Sequence, residues 1–193
     1  MISRIENGQL DWFQSWIETF DAFPSDHFDR FVVLLHPGTA LVSDDRFPFA
    51  SPNVHRTSDD PLSDEQQATL DQILLDTYDP DTECHFALYA GFLGDPSQAA
   101  SRGFNTPETT WHPGRLNYVL YSAPLRESVF GTVLEPWAAQ WNLFLELSYL
   151  WPSDRSWFLS STADTAVTII GCDDALAQKL LAKPSLDAHE WRH

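Results

Sequence analysis

Apolar residues recur along this chain with two different periods. Residues 9–20, QLDWFQSWIETF, put Leu10, Phe13, Ile17 and Phe20 on one stripe at helical spacing, with Trp12 and Trp16 on a flanking stripe. That spacing predicts an amphipathic helix, ended by Phe23-Pro24-Ser25. RFVVLLHPG, residues 30–38, is a dense apolar run closed by Pro37-Gly38 and reads as a buried strand. Ser63 with Gln66 three positions on forms a capping-box pattern, and Leu70, Ile73, Leu74 and Thr77 follow as an inward stripe that Asp79-Pro80-Asp81 ends.

Strand period dominates the second half. CHFALYAGF from Cys84 alternates Phe86 and Leu88 against His85, Ala87 and Tyr89. LNYVLYSAPL from Leu116 alternates similarly. SWFLSS and AVTIIGC, residues 156–161 and 166–172, are separated by four residues and predict an antiparallel hairpin. DDALAQKLLAK then reads as a last helix, capped by Asp173 or Asp174 and stopped by Pro184. Residues 126–137 read as helical, and 138–150 as helix or strand. Regions near 37–62 and 91–115 read as long loops, and 185–193 as a frayed tail in which Trp191 can dock. Consecutive strands without intervening helices predict an α+β class. The expected architecture is a single domain over 1–193, with a mixed or mostly antiparallel sheet of about five strands and helices packed on it.

Composition narrows the functional classes. Eleven basic residues against twenty-eight acidic ones give a net charge of −17, which repels nucleic acid phosphates and anionic membranes. The longest apolar runs fall far short of a membrane span, and the N-terminal residues have no leader pattern. Cys84 and Cys172 lack a CxxC spacing and read as buried, reduced thiols, so a cytoplasmic location is expected. Eight glycines are scattered without GxGxxG or a Walker A pattern, and GxSxG is absent. His36, His55, His85 and His112 sit at expected strand ends or loops, but no HxH, HxxxH or HExxH pair fixes two ligands locally. No catalytic residue, metal or cofactor is expected.

One charged pair stands apart. Asp154-Arg155 lies between Trp151 and Trp157 in WPSDRSW, at the expected start of a strand, where the two indoles are placed to shield it from water. A charge near aromatic walls needs a partner. Arg155 is therefore expected to be half-buried, either paired with an internal carboxylate or presenting a bidentate fork to an anion.

Several stretches resemble an uncharacterised bacterial family, mainly actinobacterial. FDRFVVLLHPG resembles its aromatic-x-R-(apolar)-HP segment, DTECHFALYAGF and NYVLYSAPL two of its strands, and LWPSDRSWFLSSTADTAVTIIGC its W-P-x-D-R-x-W segment. The resemblance runs from about residue 28 to the last helix. It carries over Arg30, His36, Pro37, Cys84, Phe86, Gly91, Tyr118, Pro124, Leu125, Trp151, Pro152, Asp154, Arg155, Trp157, Asp164, Thr168 and Gly171. Tyr89, Ala123, Ile169 and Cys172 depart from the pattern, standing for Trp, Gly, Tyr and a second Gly. The resemblance implies a shared fold and no activity.

Two functional expectations follow. The first is a non-enzymatic, acidic cytoplasmic protein that binds a basic protein partner in an immunity-like or regulatory role. The second is a small-molecule or anion-binding protein, or an enzyme, with a cleft around Arg155 and Asp154 to which Asp164, His36, Arg30, Trp151 and Trp157 contribute.

Overall fold

A computed structural model describes residues 3–4, 27–41, 54–56, 62–89, 110–111, 118–128, 147–161 and 166–191. The expected N-terminal helix over 9–20 lies outside them. The α+β class holds, and the sheet is larger than the composition of apolar runs suggested. Among the described residues it has nine strands: β1 (Ser3–Arg4), β2 (Arg30–Leu35), β5 (Glu83–Tyr89), β6 (Thr110–Trp111), β7 (Tyr118–Pro124), β8 (Leu147–Pro152), β9 (Phe158–Ser160), β10 (Val167–Cys172) and β11 (Ala188–Trp191). They run in the order β1-β7-β5-β8-β9-β10-β2-β11, with β6 added on β7. Every pairing in this sheet is antiparallel. Inside the expected loop 37–62, β3 (Thr39–Leu41) and β4 (Val54–Arg56) form a separate two-stranded sheet.

The helices arise where the caps place them. Helix α1 (Asp64–Thr77) begins with the full capping box: Ser63 Oγ accepts from the Gln66 amide at 3.2 Å, and Gln66 Oε1 accepts from the Ser63 amide at 3.0 Å. The Gln66 amide group also donates to the carbonyls of Leu35 at 2.8 Å and Leu186 at 3.2 Å, tying the helix start to β2 and to the C-terminal segment. A single turn, α2 (Leu125–Ser128), follows β7. For α3 (Asp174–Leu181) the cap is Asp173, which accepts from the Leu176 amide at 2.8 Å.

Both sheet faces are buried. On one, Leu70, Ile73 and Leu74 of α1 and Leu176, Ala177 and Leu180 of α3 pack over Val32, Leu34, Phe86, Leu150, Trp157 and Ile170. The other is aromatic: Phe28, Phe31, Tyr118, Tyr149, Trp151, Phe158 and Trp191. Its rings meet edge-on or offset, as their quadrupoles prefer, with Phe31–Trp191 centroids at 5.4 Å and Tyr118–Tyr149 at 5.2 Å. Gly171 lies under this layer, where an added Cβ would stand 2.4 Å from Phe28 Cδ2.

Two expectations are corrected. The tail is not frayed: Pro184–Leu186 forms a 3₁₀ turn, Asp187 reverses the chain at a φ of 46°, and β11 then pairs with β2. The segment WPSDRSW is not the start of one strand. Its Trp151 and Pro152 end β8, and residues 153–157 form the turn into β9, whose Leu159 is the cross-strand partner of Leu150.

Candidate functional site

The β8–β9 turn is held by local bonds. The Arg155 amide donates to the Pro152 carbonyl at 2.9 Å, the Ser156 amide donates to Asp154 Oδ1 at 2.9 Å, and the Ser153 amide donates to the Glu83 carbonyl at 2.9 Å. Asp154 is thus an Asx-turn residue, the role its short carboxylate suits. Closing the turn places Arg155 at a φ of 61°, the left-handed region, which costs a non-glycine residue about 1–2 kcal/mol.

Asp154 and Arg155 are both exposed, which corrects the half-buried expectation. The two indoles do not shield them. Trp151 and Trp157 are 1% and 0% exposed because alternation turns Trp151 into the aromatic layer and Trp157 into the helix-side core. Arg30 sits at the same end of the sheet, ion-paired to Asp174 and Glu190. His36 follows the other end of β2, about 20 Å from Arg30 by strand rise. It is buried, with Nε2 2.9 Å from Thr168 Oγ1. The fold therefore keeps His36 away from Arg155. Asp164 lies outside the described residues.

Acidic groups gather at the Arg155 end. Asp79, Asp81 and Glu83 lead into β5, Asp154 is in the turn, and Asp173 and Asp174 start α3; all six are exposed. The local field shows this convergence. Burial first, then Asp173 and Asp154, push the Tyr78 hydroxyl well above its ordinary range. Burial first, then Asp154 and Glu83, push the Cys84 thiol up to about 12. Burial likewise raises Cys172 to about 12, with Asp173 adding to it. Both thiols are therefore protonated and poor nucleophiles at neutral pH.

The pairing of β5 with β8 brings together a second group at this end that sequence spacing does not reveal. Ser153 Oγ lies 3.0 Å from His85 Nε2 and 3.3 Å from Glu83 Oε2. His85 is 4% exposed and packs against Trp151 at a centroid distance of 5.8 Å. Desolvation lowers its pKa, Glu83 opposes that, and Arg155 adds to it. Among the described residues its buried Nδ1 has no hydrogen-bond partner. A Ser–His–acid array needs an acid on that far nitrogen to stabilise the imidazolium; here the carboxylate contacts the serine instead. Burial favours the neutral imidazole, and the described residues assemble no proton relay around it. The detectable signal was alternation, which puts Glu83 and His85 on one face; their meeting with Ser153 needed the strand pairing.

Among the described residues, no three His, Cys, Asp or Glu side chains converge as metal ligands. No helix among them is long and apolar enough to cross a membrane. The chain matches no family model, no curated protein and no solved structure.

Proposed function

We propose that this chain is a non-enzymatic, partner-binding protein of the immunity-like or regulatory kind, acting in the cytoplasm. It receives a basic surface on the acidic end of its sheet. The observation that carries this reading is the convergence of Glu83, Asp154, Asp173 and Asp174 there, with Arg30 and Arg126 already engaged by Asp174, Glu190 and Asp81. Such a surface steers a cationic partner and weakens with ionic strength. The resemblance noted in the sequence adds no activity to this reading.

The test uses Glu83→Gln, Asp154→Asn and Asp173→Asn together. Asn keeps both the Asx turn and the helix cap, so charge changes while the fold is retained. With the full chain as bait in a lysate of its source cells, the wild type is expected to capture basic proteins that are released as salt rises. The triple variant should lose them. Unchanged capture by a folded triple variant rules the reading out.

The left-handed backbone at Arg155 favours a second reading, an anion site at the same turn. It predicts a thermal upshift of the wild type by inorganic phosphate that Arg155→Ala abolishes.

A further inference from the structure

At the end of the sheet remote from the acidic groups, the helix-side face carries a row of buried polar side chains. Tyr149 pairs with Ser160, and Ser160 with Ile169, so the next step in register aligns Ser148 on β8, Ser161 just past β9 and Thr168 on β10. The Ser161 amide donates to the Ser148 carbonyl at 2.8 Å, as that alignment requires. His36 completes the row beside Thr168. All four are buried: Ser148 at 1% exposure, Ser161 at 8%, Thr168 at 0% and His36 at 5%.

The hydrogen bonds have a direction. Thr168 Oγ1 donates its one proton to Ser161 Oγ at 2.8 Å. Toward His36 Nε2, at 2.9 Å, it can only accept, so Nε2 carries a hydrogen. Ser161 has accepted and still has its own hydrogen to place. Beside it, Ser148 Oγ has no hydrogen-bond partner among the described residues. Facing Cβ atoms on neighbouring antiparallel strands stand about 4.5–5.5 Å apart, a span that one oxygen making two bonds of about 2.8 Å bridges. A row polarised from His36 thus ends on two buried hydroxyls that ask for the same third atom. Buried polar groups without partners are rare enough in folded proteins that each needs a reason.

We propose that Ser148 and Ser161 form a binding site for one neutral hydrogen-bonding oxygen, either a water or a hydroxyl or carbonyl of a small ligand. The row holds no carboxylate, ammonium or guanidinium to pair an ionised group at this depth. The site is independent of the partner surface at the opposite end.

Thermal unfolding of the full chain with Ser148→Ala, Ser161→Ala and both changes tests it, with a high-resolution crystal structure of the wild type. Removing a hydroxyl that binds an oxygen lowers Tm, by about 2–6 °C for a chain of this size. Ser148→Ala should have little further effect once Ser161→Ala is present, because both act through one bridging atom. Density for a single oxygen between the two serines identifies water. Extended density, or extra mass in native spectra lost on denaturation, identifies a ligand. An unchanged or raised Tm for Ser148→Ala overturns the proposal, since deleting an unpaired buried hydroxyl costs nothing. Density that is flat between the serines overturns it as well, and decides if a variant does not fold.

Discussion

Burial acts on the protonation of His85 in a pH range where a histidine ordinarily titrates. Burial lowers its pKa in the folded protein, so the unfolded chain takes up a proton at a pH where the folded one does not. Stability rises with pH wherever the unfolded state binds more protons. The contribution of a neutral His85 is therefore complete above the ordinary histidine range near 6.5 and is lost as pH falls through it. His85→Gln, which stays neutral, should lose less Tm than the wild type between about pH 7 and pH 5.5, as followed by thermal unfolding. Gly171 sets a steric limit of a different kind. An alanine Cβ there meets the buried Phe28 ring, so Gly171→Ala is expected to destabilise by about 1–3 kcal/mol in urea titrations. At this scale the sequence identified Arg155 and Asp154 as unusual neighbours, but not their exposure. A charged pair between tryptophans looks enclosed until alternation is known to turn each indole into a different layer.

At the level of elements, the helices were legible because their signals are local. Ser63 with Gln66, and Asp173 three residues before Leu176, each make the bonds that their spacing anticipates. β5, β7 and the β9–β10 hairpin were legible from alternation and spacing. The tail was not. Residues 188–191 are too few for a convincing period, and they become a strand because β2 offers them an edge. Trp191 then buries its ring against Phe31. Trp191→Ala should cost about 3–5 kcal/mol, the range for removing a buried aromatic side chain. A loss in urea midpoint close to zero would mean the tail does not dock. The β8–β9 turn escaped detection for a related reason: its closure depends on an arginine adopting a backbone conformation that sequence patterns assign to glycine or asparagine.

Across the whole molecule, charge is the property most readily read and position the least. A net charge of −17 implies self-repulsion in the compact state. Raising sodium chloride from about 0.01 M to about 0.15 M shortens the Debye length from about 30 Å to about 8 Å, and Tm should rise over that range; a fall would mean that ion pairs such as Arg30–Asp174 outweigh the repulsion. The α+β class followed from the order of elements, whereas the two polar assemblies depended on pairings between distant parts of the chain. Ser153 meets His85 across 68 positions and His36 meets Thr168 across 132. The order of the sheet also has a consequence for synthesis on the ribosome. β2 is made early, yet both its neighbours, β10 and β11, lie more than a hundred residues later. At about 5–20 residues per second, an apolar RFVVLL segment waits on the order of ten seconds with both edges unpaired. During that interval the nascent chain presents a strand able to template aggregation, so its yield in cells should depend on holdase chaperones more than its final stability would suggest.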